Sequence, residues 1–548
     1  MRRPVLTAAT RLVLGAACLL AQEQNQPTIR VTTRLVQVNV VVHDKKGEPV
    51  RDLKKEEFTL LDKGKEQKIA VFAVDSSDAP QKGFPGLPPN VFSNRVQRVD
   101  RPSSITVILL DGLNTKFEDQ AYAKKQIVKF LGTLQPNDRV ALYLLGSNLR
   151  ILHDFTNDAD HLVKALAKYR GRISGELDAA DPAPRDPSGN DDLDQFLNNS
   201  DQVISDFYNV NRAKWTLDAM EAIAHHLAAL PGRKNLIWVS SGFPFTLGLE
   251  PEDMSQDQPN REHRTFSEET ERLRRAMNDA NIAIYPVDAR GLVGMPAAFS
   301  AQNRTSPLGR PGAAPRAVKF TPPNQDTMQI LAERTGGRAY YNTNDLEGAV
   351  RNAVADAKVT YTLGFYLSSD EWDGKFHEIK VKVARSGVDV RYRKGFVAFT
   401  KQTPSDKEIK SELQNAVLTP LDATGIGINA RTDPSDQPKP GSLRVVVQVN
   451  QSEIVLDQQG DRWNGALEFV FAQIAADGKV LNADGQTLTL NLKKDRYDDI
   501  MKRGLLFTKT VEPLENAFQL RIVVLDRATG KAGSLHVPFK IAATAAPR

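Results

Sequence analysis

An aspartate at the tip of an apolar run is the first residue here that could do chemistry. In "VILLDGLNTKF", residues 107 to 117, apolar residues lead into Asp111, and Asn114 and Thr115 follow before a helix-like segment. Such a carboxylate can mark a metal or phosphate site. It can equally accept hydrogen bonds from the backbone N–H groups of its own loop, or cap the helix that begins near 116. Asp288, in "YPVDARG", ends a second apolar run, on the edge where open α/β sheets place their ligands. A structural role in its own turn is equally open.

Other patterns carry less. "GIGINA", residues 425 to 430, has glycine spacing like a nucleotide loop, but Pro420 and Pro434 flank it and no strand–helix unit frames it. His225 and His226 are adjacent on a helix, so they do not share a face and are not a paired ligand set. "DPSGNDDLD", residues 186 to 194, resembles a calcium loop, yet Asp191 stands where the turn needs glycine; a solvated acidic loop is the expectation. There is no H-E-x-x-H and no G-x-S-x-G, and no acid/base pair at a recognisable spacing. The chain is therefore not expected to be an enzyme, and an envelope hydrolase using the acidic insert is disfavoured.

The elements that must position Asp111 follow from length and patterning. A chain of 548 residues is too long for one core and divides into roughly three or four domains. Its 41% hydrophobic and 25% charged residues suit globular domains, and a net charge of +5 makes no claim on nucleic acid or an anionic membrane. The start, "MRRPVLTAATRLVLGAACLLAQ", has a basic head, an apolar stretch and a small residue at Ala21, which predicts a signal peptide over 1–21, too short to span a membrane. Its removal takes Arg2, Arg3 and Arg11 but no acid, so the net charge falls from +5 to +2. The single cysteine, Cys18, has small residues before it, but Gly15 stands where a lipobox carries leucine; lipidation is left open. The mature chain would have no cysteine and no transmembrane span, and would be periplasmic, secreted or associated with the outer envelope.

Alternation of Val36, Val38, Val40 and Val42, with turns at Asp44–Gly47 and Asp62–Gly64, predicts an N-terminal β-sandwich over 28–78. Residues 77–102 read as a linker. From 103, continuous apolar strands alternate with amphipathic helices, which predicts a doubly wound, mostly parallel α/β sheet over 103–366. Two inserts, 172–211 (acidic and turn-rich) and 293–324 (rich in Pro, Gly and Ala), read as surface loops. Period 2 returns in a β extension over 367–400, and a C-terminal β-sandwich is expected over 410–546.

A strand ending in Asp111, followed by repeated helix–strand units, resembles a von Willebrand factor A domain over residues 103 to about 366. More narrowly, "LVQVNVVVHDKKGEPVRDLKKEEFTLLDKGKEQKI", "LLDGLNT", "LPGRKNLIWVSSGFP" and "IYPVDARGL", in that order, resemble the VWFA-related family common in Acidobacteria. The resemblance implies a cation site of the form D-x-S-x-S, with a threonine from a second loop and an aspartate from a third. Asp111 matches the aspartate and Thr115 the second serine. Leu113 replaces the first hydroxyl, Ser241 stands at the third-loop aspartate, Thr216 is the candidate threonine, and Asn114 could substitute only in a remodelled loop. That set is poor for Mg²⁺ or Ca²⁺, so the expectation is a degenerate metal-ion-dependent adhesion site and no cofactor. By analogy of fold, Asp111, Thr115, Ser241 and Asp288 would line a ligand-binding edge for protein partners in the envelope or outside the cell, with no nucleic acid involved. The alternative is a divalent-cation-dependent adhesion module with Asp111, Asn114, Thr115 and Thr216 as ligands.

Overall fold

The computed structural model describes residues 34–76, 87–95, 104–136, 138–181, 186, 188–230, 232–243, 267–292, 325–367, 371–398 and 403–539. The expected signal peptide, Cys18 and the 293–324 insert lie outside them. No helix among the described residues is long and apolar enough to cross a membrane.

The described residues open with β1 (Arg34–His43), β2 (Phe58–Asp62), β3 (Lys65–Gln67), β4 (Val71–Ser76) and β5 (Val91–Ser93). It then alternates through β6 (Ser104–Asp111), α1 (Phe117–Leu131), β7 (Asp138–Leu145), β8 (Leu149–Thr156), α2 (Ala159–Lys168), α3 (Gly175–Ala180), α4 (Asp191–Leu227), β9 (Lys234–Ser240), α5 (Ser267–Asp279), β10 (Ile282–Asp288), α6 (Gln325–Thr335) and α7 (Leu346–Ala355). One sheet has the order β10-β9-β6-β7-β8, parallel except that β8 runs antiparallel to β7. Every residue of β9 and β10 is buried, because helices cover both faces. Alternation sorts the two faces. Val107 and Leu109 pack with Leu217 and Met220 of α4, Met277 of α5 and Leu331 of α6. Ile108 and Leu110 pack with Ile127 and Phe130 of α1, Leu166 of α2 and Val350 of α7. Strands β6, β9 and β10 therefore end together at one edge.

The next strand departs from the expectation. β11 (Val359–Leu367), placed by its position after a helix in the 103–366 unit, does not join this sheet. It lies between β1 and β4, with Val38 opposite Leu363. Then come β12 (Phe376–Val383), β13 (Asp389–Arg391) and β14 (Gly395–Val397). The two resulting sheets, β13-β1-β11-β4 and β14-β12-β2-β3, share one core containing Val38, Leu60, Tyr361, Leu363 and Val381. Residues 28–78 thus do not form a unit alone, and 367–400 is not an extension of the α/β sheet. Among the first four strands only β2 and β3 pair with each other, and an isolated hairpin buries too little, so both sheets are completed by strands from beyond α7. The α/β segment is inserted between the two halves.

The remainder comprises α8 (Asp406–Leu418), β15 (Ile428–Ser435), β16 (Ser442–Val449), β17 (Asp457–Gln459), β18 (Arg462–Ala475), β19 (Val480–Lys493), α9 (Lys494–Arg503), β20 (Leu505–Val511), β21 (Ala517–Asp526) and β22 (Ala532–Pro538). A sheet β20-β16-β15-β5 and a sheet β17-β18-β21-β22, with β19 on β18, bury Val445, Val447, Phe469, Ile522 and Val524 together. The stretch 77–102 is therefore more than a linker, since β5 pairs with β15. The acidic insert also differs from the loop expected: α3 and the first half of α4 are helical. Asn190 caps α4 through the backbone N–H groups of Asp192 and Leu193, and the acids that follow suit the positive end of the helix.

Candidate functional site

Six buried residues, Ile105 to Leu110, carry the chain through the core, and the first carboxylate falls where β6 ends. There the Gly112 N–H donates to the Leu145 carbonyl at 2.8 Å. A Cβ at Gly112 would stand 3.2 Å from the Tyr169 hydroxyl and 3.3 Å from that carbonyl, so the turn needs a small residue. Asp111 itself is 2% exposed. Its Oδ1 accepts from the backbone N–H groups of Leu113 (3.1 Å) and Asn114 (2.9 Å). Its Oδ2 accepts from Asn114 Nδ2 (2.9 Å), Trp238 Nε1 (2.9 Å) and Ser240 Oγ (2.8 Å). Burial pushes the Asp111 carboxyl above the usual range, while the Asn114, Trp238 and Ser240 donors pull it back. Four N–H donors, with the Ser240 hydroxyl whose single proton also faces the Gly242 carbonyl at 2.9 Å, favour the ionised form against burial.

Asn114 links this carboxylate to α4. Its Nδ2 also donates to Thr216 Oγ1 at 2.8 Å, and its Oδ1 accepts from Arg212 Nε at 3.1 Å. Thr216 donates to the Arg212 carbonyl at 2.8 Å, one turn back along the helix. The Arg212 side chain is 6% exposed and also donates to Asn209 Oδ1 at 2.9 Å. Burial lowers its pKa, and the Asp111 charge opposes that. A buried cation is therefore joined to the aspartate through Asn114.

Hard cations require oxygen lone pairs free to turn toward them. Asp111 Oδ2 is held by three donors, Asn114 Oδ1 faces a guanidinium, and the Thr216 hydroxyl is engaged as both donor and acceptor. Leu113 is packed into the core. Thr115 Oγ1 accepts from the Ser241 N–H at 3.1 Å. The residues present do not fit a divalent cation in this arrangement.

The edge residues are close but do not act as one set. Asp111 and Thr216 share a network through Asn114, whereas Thr115 and Ser241 form a separate one in which Ser241 Oγ donates to Asp119 Oδ2 at 3.0 Å. Asp288, at the end of β10, is instead gripped by Arg290, with Nε–Oδ1 3.0 Å and Nη2–Oδ2 2.8 Å. Four participants were not singled out from sequence: Arg212, Trp238, Ser240 and Asp119. The signals existed. Arg212 and Thr216 are one helical turn apart, and Trp238 and Ser240 share a face at period 2. That alternation puts Ser240, not Ser241, on Asp111. Around the loops lie exposed apolar side chains, Phe117, Ile173 and Leu292. A cavity of about 690 Å³ opens beside them, lined by Gly112, Leu113, Tyr169, Arg172 and Tyr208 among others.

A second cluster lies where α4 meets α8. Glu221, His225 and Glu412 bring their ligating atoms within 4.8 Å of one another. His225 Nδ1 is 2.8 Å from Glu412, and Arg272 Nε is 2.9 and 2.8 Å from the two Glu221 oxygens. Burial alone would lower the His225 pKa, but Glu412 and Glu221 outweigh it and hold it at about 9. A protonated histidine and an arginine balance these acids, so the cluster is a seam of ion pairs. The spacing Glu221–His225, one turn apart, is its sequence signal, and weighing His225 only against His226 does not find it.

No protein-family model matches the chain, and no curated protein matches it. Among solved structures, an aerotolerance-related membrane protein from Bacteroides fragilis is 15% identical over 46% of this chain and 98% of its own, with a TM-score of 0.25. The pilus adhesin SpaC from Lactobacillus rhamnosus GG is 9% identical over 89% of this chain and 58% of its own, with a TM-score of 0.26. The ArnB paralog VWA2 from Sulfolobus acidocaldarius is 8% identical over 88% and 75%, with a TM-score of 0.21.

Proposed function

We propose that this is an exported, non-enzymatic protein-interaction protein. In this reading a doubly wound A-type domain of the VWFA-related Acidobacterial family, inserted between the two halves of the first β unit, binds protein partners through the loops at the ends of β6, β9 and β10. The observation that carries it is the closed state of the Asp111 loop: its carboxylate is consumed by five internal donors and balanced by Arg212, while Phe117, Ile173 and Leu292 face solvent around it. Charged and polar groups hold the edge rigid, and apolar side chains are what it offers outward. The helix α4 adds exposed Phe196, Val203 and Phe207. This is a degenerate metal-ion-dependent adhesion site whose cation has been replaced by an arginine. Leader cleavage on expression in a bacterial host tests export. Recovery of envelope proteins on the immobilised chain tests the edge: the triple change Phe117→Ser/Ile173→Ser/Leu292→Ser should abolish specific recovery without altering the fold. Unchanged recovery would refute the edge.

A further inference from the structure

The flank of the α/β sheet carries a second feature that the edge loops do not use. Strand β8 ends the sheet and pairs only with β7 among the described residues, so its outer backbone edge is open. Beside it α2 closes a groove of about 600 Å³. Five cations line it, Arg150 from β8, Lys164 and Lys168 from α2, and Arg170 and Arg172 from the turn beyond, and no carboxylate does. All five are exposed, and none pairs with an acid within ion-pair distance among the described residues. The lining also includes Ile151, Leu152 and Ala165, so it is apolar as well as cationic.

Charges on an edge strand ordinarily guard it against pairing. That explanation covers Arg150 alone. The other four come from α2 and the following turn and converge on the same groove, which guarding the strand does not require. Unpaired like charges held this close repel one another, and an anionic occupant relieves that repulsion. A free strand edge supplies backbone donors and acceptors to an extended chain, and the apolar lining takes every second side chain.

We propose that the groove between β8 and α2 binds an extended acidic peptide of a partner protein, added as a strand to β8, with its acids on the cations of the α2 side and its alternate apolar residues beside Ile151 on the other face. The groove shares Arg150, Tyr169 and Arg172 with the cavity beside the edge loops, but its test changes none of the residues that test those loops.

The experiment is fluorescence anisotropy on the full chain, at about 50 mM salt so that surface charge is not screened out. The probes are a capped peptide of alternating Glu and Val, the same peptide N-methylated at alternate residues, and an oligogalacturonate as a polyanion without an amide backbone. The expected result is saturable binding of the first peptide. Arg150→Glu/Lys168→Glu should weaken it by about tenfold or more, as should N-methylation, and a Lys493→Glu/Lys502→Glu control should leave it unchanged. Equal affinity after charge reversal would overturn the site, and equal affinity of the N-methylated peptide would overturn strand addition. Tighter binding of the oligogalacturonate would make the occupant a saccharide and overturn the proposal.

Discussion

If Arg212 supplies the charge that a cation would otherwise bring, then Arg212→Met should damage the Asp111 loop in a specific and measurable way. The substitution keeps the length of the side chain and removes the guanidinium. It deletes the bonds to Asn114 Oδ1 and Asn209 Oδ1, at 3.1 and 2.9 Å, and the buried charge that Asp111 helps to hold. A hydrogen bond from a charged group contributes about 1.5–3 kcal/mol. Asp111 keeps its five donors, and an arginine no longer has to be buried, so the loss should be about 2–3 kcal/mol. Native-state hydrogen exchange of the Ser104–Asp111 amides reads this locally, without assuming that the whole chain unfolds in one step. Asp111→Asn removes the other charge. If the two charges balance each other, the double variant must lose less than the sum of the single losses, by about 1 kcal/mol or more. Strict additivity would show that the guanidinium merely fills space, and the proposed replacement of metal by arginine would fail.

Three further outcomes are expected. Lys234 is 2% exposed, its ammonium donates to the Leu230 carbonyl with no carboxylate paired to it among the described residues, and burial pushes its pKa down to about 7. Its folded pKa lies below the unfolded value, so stability should rise as pH climbs from about 7 to 10, and Lys234→Met should stabilise by about 1–3 kcal/mol at neutral pH; a loss in urea unfolding would contradict this. Leu363→Ala should cost about 2–5 kcal/mol and expose the Arg34–His43 amides to exchange, because Leu363 lies opposite Val38; exposure of β10 instead would mean that β11 belongs to the central sheet. Since Glu412 and Glu221 hold the His225 pKa up, at about 9, the α4–α8 seam is fully stabilised below about pH 6.5 and weakens as pH rises through about 9. Exchange across Asp406–Leu418 should follow that profile in the native chain and lose it in Glu412→Gln.

What was legible in the sequence was what periodicity encodes locally. The apolar run before Asp111 announced a strand covered on both faces, and Val36 to Val42 announced one covered face. Periodicity carries no partner information, and that is where the reading went astray. "VTYTLGFYL" follows a helix like any other strand of the α/β unit, yet its partners are β1 and β4, from the start of the chain. Composition misled at 172–211: the acids at Asp191, Asp192 and Asp194 look like a solvated loop, but they lie in the first turn of a helix, where they are favoured. At the site, Asp111 was visible as the end of a strand. Arg212 was not, because a motif built around oxygen ligands gives no reason to look for a cation from the protein itself.

The measurement that bears most directly on the account is isothermal titration of Mg²⁺, Mn²⁺ and Ca²⁺ into the EDTA-treated chain. A loop whose carboxylate is saturated by internal donors and balanced by Arg212 should give no saturable heat at millimolar metal. Saturable uptake that disappears in Asp111→Ala would contradict it, and would mean that the loop opens, releases Arg212 and binds a cation after all.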